Sequence, residues 1–212
     1  MIINARKMTK NRLLKAKIAL FWFLAFLICC LLPHPIAQAA SNKKVEKTVN
    51  SYMNAIKKYD IGKVKSMQTD KDVFHIIDKR FVKFIKKANK DCFKYEIKKM
   101  RVKKTSATVT LRVQYYDCKS DFKDSLKTLL KYYDKTWSSD DVRKYILNDL
   151  KAVYDPDYEG AVRTKTITLH LVKIGDSWKI TKMGKKLLYA KDCGLTLLID
   201  DFARNPFKYL LS

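Results

Sequence analysis

The chain has 212 residues, and 45 Lys or Arg against 21 Asp or Glu give it a formal net charge of +24. That length suits one ordinary domain with a single hydrophobic core behind a short leader segment. With five glycines in all and three cysteines after residue 39, the composition excludes a glycine-rich phosphate loop and a disulfide-based scaffold.

The first 39 residues predict an export signal. Six basic and no acidic residues precede a 15-residue apolar run at 18–32, and Ala-Gln-Ala follows at 37–39. This order is typical of a secretory signal peptide, and the run is shorter than the ~20 residues that span a bilayer. We therefore predict a signal peptide over residues 1–39, cleaved near Ala39-Ala40, and a secreted or extracytoplasmic protein with no stable transmembrane span. The alternative is an uncleaved N-terminal helix that anchors the protein.

The chain that remains after cleavage is strongly basic, because residues 40–212 hold 39 basic and 21 acidic side chains, a net charge of +18. Such a field attracts anionic wall polymers, lipid headgroups or nucleic acid, and it weakens with salt. Only six of the 39 are Arg, the residue whose forked donors suit phosphate and carboxylate. A Lys-rich codon usage is the alternative explanation of the charge.

Helical spacing of apolar residues predicts three helices in the first half of the domain. The first covers residues 45–56 with its N-cap at Ser41 or Asn42. A short second helix follows Asp60, and a third extends from about residue 72 to residue 90.

At Cys92 the apolar period changes to two, which is typical of strands. Residues 93–98 and 107–116 predict an antiparallel pair joined by a turn over 101–106. Helical spacing returns in two segments, 122–133 and 139–153, with Ser139 as the second N-cap. Strands over 163–174 and 177–181, joined at Gly175-Asp176, and a helix over 185–202 complete the chain.

These elements predict an α+β fold over residues 40–212, a single domain. Three N-terminal helices pack on a four-stranded antiparallel sheet, two helices are inserted between strands 2 and 3, and a C-terminal helix follows.

Two segments resemble a known superfamily. YMNAIKKYDIGKV at 52–64 resembles the opening helix pair of the nuclear-transport-factor-2-like (cystatin-like) superfamily, in particular its small secreted bacterial proteins. GDSWKI at 175–180 resembles their last hairpin, with Trp178 entering the core. The resemblance implies the fold over residues 43–183, but not an activity, because the superfamily includes isomerases, dehydratases and binding modules. The inserted helices and the terminal helix depart from the pattern and could fill or cover the cone-shaped pocket of relatives.

An isomerase or dehydratase of this fold would need a carboxylate or His inside the cone. The predicted core-facing strand positions hold no Asp, Glu, His or Lys, and only Tyr95 and Tyr115 bring polar tips. We name these two as candidates for ligand contacts at a pocket rim, with a core role as the alternative. No catalytic residue, metal site or cofactor is predicted. We expect a non-catalytic binding protein at the envelope or outside the cell, and an enzyme with a cone-shaped pocket is the disfavoured alternative.

A row of lysines on the third helix is the candidate contact for an anionic partner. Its members fall at i, i+4, i+7, i+8 and i+11 and continue onto the exposed face of the first strand: Lys79, Lys83, Lys86, Lys87, Lys90, Lys94 and Lys98. We call this set the lysine stripe. It predicts binding to an anionic wall polymer or a membrane surface, and a solvated amphipathic helix is the alternative. Because no aromatic residues alternate with the lysines, we do not expect specific nucleic-acid binding.

Cys92 and Cys118 are a candidate disulfide pair. Both are predicted on the side of the first two strands that faces away from the core, one diagonal step apart, close enough for a disulfide. The alternative is free thiols, because export alone does not ensure oxidation.

Overall fold

The computed structural model describes residues 35–70, 79–132, 138–157 and 161–204. Contacts divide the chain into two compact units, Met1–Asn42 and Lys43–Ser212, and the sheet belongs to the second unit. Within the described residues the helices are α1 (Pro35–Lys57), α2 (Ile61–Ser66), α3 (Lys79–Cys92), α4 (Lys119–Tyr132), α5 (Ser139–Val153), α6 (Lys185–Lys191) and α7 (Leu195–Arg204). The strands are β1 (Lys94–Val102), β2 (Ser106–Tyr116), β3 (Val162–Ile174) and β4 (Ser177–Ile180).

The predicted α+β class and the antiparallel sheet are confirmed. The four strands lie in the order β1-β2-β3-β4, and each pairs with its sequence neighbour. Leu111 of β2 lies opposite Ile97 on one side and Ile167 on the other, so three apolar side chains share one face. The connector after α2 follows the outer edge of β4, where Thr69 N donates to Ile180 O at 2.9 Å.

One face of the sheet, which we call the closed face, lies inside the first hydrophobic core. The first core joins residues of α1, the closed face and α6. Its largest fully buried members include Tyr52, Met53, Ile56, Leu111 and Tyr115. These side chains fill the space between α1 and the sheet, because apolar packing is the main source of stability in a domain of this size.

A second hydrophobic core covers the end of the other face near Tyr116. Helices α3, α4, α5 and α7 supply most of its apolar residues, and Phe84 of α3 meets Tyr116 edge to face at 6.5 Å between ring centroids. Tyr116 has the parity of Gln114, which the alternation places away from the first core, and yet it is only 2% exposed. The inserted helices therefore bury the end of a face that alternation alone predicts to be solvated.

The first strand is longer than predicted and contains a β-bulge. Pairing shifts between Ile97 and Lys99, so Lys98 is the extra residue. After the bulge the inward positions change from odd to even numbers, and Met100 and Val102 pack against the first core. The predicted turn over residues 101–106 is therefore wrong at its start, since the strand continues to Val102.

Three helix ends also differ from the prediction. Helix α1 includes residues 35–42 and so continues through the predicted caps Ser41 and Asn42, because Ala and Gln in this segment favour helix. The N-cap of α5 is Ser138 rather than Ser139, in a capping box with Asp141. The predicted C-terminal helix is divided into α6 and α7 at a turn where Gly194 has φ of +82°. The predicted start of the third helix, before Lys79, lies outside the described residues.

Candidate functional site

All seven residues of the lysine stripe are exposed. Helix α3 presents them because its other side is anchored in the second core by Phe81, Phe84, Ile85 and Ala88, all buried. The strong separation of apolar and basic residues around the helix is what the sequence pattern predicts. The five helical lysines therefore stand on one solvent-facing surface of a fixed helix.

Acidic side chains compensate little of this charge. Lys98 Nζ lies 2.6 Å from Glu96 Oε2, and among the described residues Lys98 is the one member of the lysine stripe that forms an ion pair. Lys87 Nζ lies 4.9 Å above the ring of Tyr154, a cation–π contact that leaves the charge in place. The single acid of α3, Asp91, accepts a hydrogen bond from Tyr154 Oη at 3.0 Å. The helix thus keeps a strong positive field toward solvent.

An ion pair ties α3 to the inserted helices. Arg80 contacts Asp140 near the start of α5, and Lys144 Nζ lies 3.0 Å from the same carboxylate. Hydrogen bonds from Lys144 and Arg80 lower the pKa of Asp140. This contact is on the surface, and it positions α3 more than it stabilises the domain.

The two candidate tyrosines do not form a pocket rim together. Tyr115 is fully buried in the first core, where its ring meets Tyr189 of α6 edge to face at 5.9 Å, and burial raises its pKa to about 12. The rim prediction for Tyr115 is therefore wrong, because α6 covers this end of β2. Tyr95 is half-buried, and its hydroxyl lies 3.3 Å from Asn50 Oδ1 of α1. It acts as a link between the sheet and α1.

The predicted disulfide is absent from the structure. Cys92, Cys118 and Cys193 are free and buried in the second core. Cys118 Sγ donates to Cys193 O at 2.9 Å, whereas Cys92 Sγ lies 4.0 Å from Tyr154 Oη, so the two predicted partners have different neighbours. Burial raises the pKa of both Cys118 and Cys193, which leaves them as unreactive thiols.

Sequence reasoning missed a buried polar cluster at the turn between α6 and α7. Lys191 Nζ lies 3.0 Å from Asp192 Oδ2, Thr196 Oγ1 donates to the same oxygen at 2.5 Å, and Asn89 Nδ2 of α3 donates to Lys191 O at 2.8 Å. Burial raises the pKa of Asp192, and the charge of Lys191 opposes that shift. All four residues are at most 4% exposed. They connect elements of the two cores and are closed to any substrate. The one feature of the sequence that indicates a turn here is the helix-breaking Gly194.

A groove of about 450 Å³ lies between α1 and the β3–β4 hairpin. Its lining includes Lys44, Lys47 and Ser51 of α1, the acidic Asp176 of the hairpin turn, and Lys179 of β4. Lys179 Nζ already donates to Ser66 O at 2.7 Å, so the groove offers fewer available donors than the lysine stripe. It is a secondary candidate for a small anion.

The described residues contain no helix that is long and apolar enough to cross a membrane. Within the same parts of the chain, no three His, Cys, Asp or Glu side chains are grouped where they could hold a metal ion. No protein-family model, curated protein or solved structure matches this chain. Its function must therefore be argued from its own surfaces.

Proposed function

We propose that this is an exported, non-catalytic binding protein of the cell envelope that holds an anionic polymer or membrane surface through the lysine stripe. The observation that carries the proposal is the exposure of all seven lysines along one helix and the adjoining strand. Clefts and patches of one charge sign raise the local concentration of partners with the opposite sign.

Rigid support for the stripe strengthens the proposal. Helix α3 is fixed by Phe84, whose ring packs edge to face against Tyr154 at 5.5 Å and against Tyr116, and by the Arg80–Asp140 pair. A preformed array of charges loses less conformational entropy on binding than the same lysines on a mobile loop. A solvated amphipathic helix would pack its apolar side in the same way, so a binding measurement has to decide between the two.

We also propose that the domain is a member of the nuclear-transport-factor-2-like superfamily and that export removes residues 1–39. The order of three helices and four antiparallel strands supports membership, as does the burial of Trp178, which is 5% exposed. An isomerase or dehydratase has less support, because apolar side chains of α1 and the closed face occupy the place of the cone.

A charge-reversal experiment tests the proposal. The stripe variant carries Lys83→Glu, Lys86→Glu and Lys90→Glu, three lysines that form no ion pair with another described residue. Exposed charges contribute little to folding, so this variant should fold normally. Binding to long-chain polyphosphate and to vesicles containing phosphatidylglycerol is measured at low salt, and we expect at least a tenfold loss with one or both probes.

The matched control is the triple variant Lys182→Glu, Lys185→Glu and Lys186→Glu. These lysines are exposed at and just before the start of α6, which covers the closed face. The control makes the same change in net charge, and we expect it to lose no more than about threefold in affinity. Equal losses in both variants would mean that any binding follows from the overall charge, and the stripe would not be a site.

A further inference from the structure

Besides the lysine stripe, the protein has a second solvent-facing surface, on the face of the sheet opposite the first core. The two surfaces share Lys94. Register places three residue rows of β1, β2 and β3 side by side on the face opposite the first core. We call this surface the open face; its residues are Lys94, Glu96, Lys99 and Arg101 of β1, Thr108, Thr110, Arg112 and Gln114 of β2, and Thr164, Thr166, Thr168 and His170 of β3. All are exposed except Thr108, Thr110 and Gln114, which are half-buried.

The β-bulge gives the open face two of its four basic side chains. Without the shift at Lys98, Lys99 and Arg101 would point toward the first core, and Met100 and Val102 would point to solvent. With the shift, the open face carries four basic side chains and one acid, Glu96, which already pairs with Lys98. No acid among the described residues is paired with Lys99, Arg101 or Arg112.

Arginine is concentrated here, although it is scarce in this protein. Two of the six arginines after residue 39, Arg101 and Arg112, lie on the open face. Their planar guanidinium groups present paired donors that match phosphate oxygens. Beside them, Thr166 lies opposite Arg112 and Thr168 lies opposite Thr110, so a row of hydroxyl donors adjoins the guanidinium groups.

The open face and the lysine stripe are continuous. Lys94 belongs to both: it follows α3 by two residues and lies opposite Gln114 in the row nearest the second core. Successive residues on one face of a strand are about 6.7 Å apart, so the three steps along β1 from Lys94 to Arg101 extend the basic surface by roughly 20 Å. A small anion would occupy a fraction of this length, whereas a linear polymer would use all of it.

We propose that the open face binds a linear phosphodiester polymer with a polyol backbone, which continues along the lysine stripe. This inference rests on the proposed function and names its partner. Arg101 and Arg112 bind phosphate oxygens, and the threonine hydroxyls bind ester oxygens and backbone hydroxyls of the polymer. Single-stranded nucleic acid fits less well, because none of the open-face residues is a Phe, Tyr or Trp on which a base could stack.

The test uses poly(glycerol phosphate), as a long chain and as a dimer, with the full exported domain. The face variant carries Lys99→Gln, Arg101→Gln and Arg112→Gln. Its matched control carries Arg163→Gln, Lys165→Gln and Lys173→Gln, exposed residues of β3 with the parity of the closed face. We expect the face variant to lose at least tenfold in affinity for the long chain, and the control less than threefold.

A second variant removes hydroxyls without removing charge. Thr166→Val with Thr168→Val keeps the shape and the strand preference of both residues, so folding should not change. We expect this variant to lose severalfold in affinity for the long chain. We also expect the wild type to bind the long chain more tightly than the dimer. Single-stranded DNA of equal charge should bind more weakly than poly(glycerol phosphate).

The outcomes separate this inference from the proposed function. If the face variant binds like its control while the stripe variant loses binding, the proposed function stands and the open face is not part of the site. Wild-type binding to phosphatidylglycerol vesicles but not to the polymer would also overturn the inference, in favour of lipid headgroups. If the wild type binds none of these anions, the proposed function itself fails.

Discussion

Replacement of Trp178 by Ala tests the fold on which both surfaces depend. Trp178 is 5% exposed on β4, opposite Lys173, and belongs to the first core. A buried aromatic side chain removes up to about 250 Å² from water, which at ~25 cal/mol per Å² is an upper bound of about 6 kcal/mol. A compact unfolded state reduces this by 10–40%, to roughly 4–5 kcal/mol. Measured truncations of Phe and Trp cost about 3–5 kcal/mol.

Urea unfolding of Trp178→Ala should therefore show a loss of about 3–5 kcal/mol, a large part of the ~5–15 kcal/mol that holds a domain together. The matched control is Ile174→Ala in the same hairpin, since Ile174 is 54% exposed and should cost less than about 1 kcal/mol. If Trp178→Ala loses less than about 1 kcal/mol, the side chain is on the surface and the pairing of β3 with β4 is wrong.

Three further predictions concern titration, backbone and processing. Burial raises the folded pKa of Tyr115 from the ordinary 10.0 to about 12, so its contribution to stability is present below pH 10 and lost as the pH rises to about 12. The urea midpoint should therefore fall across this pH range. A midpoint that does not change with pH would contradict the burial of Tyr115. Gly194→Ala should lower the free energy of unfolding by more than about 2 kcal/mol, because φ is +82° and the new Cβ would lie 2.3 Å from Tyr189 Cζ. Gly184→Ala is the control, because nothing lies near its new Cβ. Equal losses in the two variants would contradict this explanation from φ and the close contact. N-terminal sequencing of exported protein should begin at or near Ala40, whereas intact Met1 on membrane-bound protein would refute cleavage.

Much of the fold could be predicted because burial separates alternate residues sharply. The second and third strands were predicted to begin at residues 107 and 163, and they begin at Ser106 and Val162. The bulge in the first strand was missed, although the sequence carries its signal: the apolar positions change from Tyr95 and Ile97 to Met100 and Val102. A change of parity within one strand is what an extra residue produces.

The parts that could not be predicted depend on contacts between distant elements. By alternation Tyr116 is an outward strand residue, but α3 and the inserted helices bury it. Lys191 and Asp192 fall inside the single helix predicted over residues 185–202, and they are buried beside the turn at Gly194 that divides it. The composition of the open face depends on the register of the strands, because Arg112 and Thr166 become neighbours only when β2 pairs with β3.

The lysine stripe was predictable because it depends on one helix. Five of its residues follow helical spacing on α3, and local periodicity is enough to place them on one face. What periodicity could not provide is the support beneath them, where Phe84 contacts rings from β2 and from the residue after α5.

The salt dependence of polymer binding tests the central claim most directly. Affinity for poly(glycerol phosphate) is measured at several salt concentrations for the wild type and for a variant with Lys83→Gln, Lys86→Gln and Lys90→Gln. Each lysine that contacts a phosphate should release a counterion, so loss of three contacts should reduce the slope of log affinity against log salt by about two. That reduction, with normal folding, is the result we predict. An unchanged slope would show that the lysine stripe does not contact the polymer.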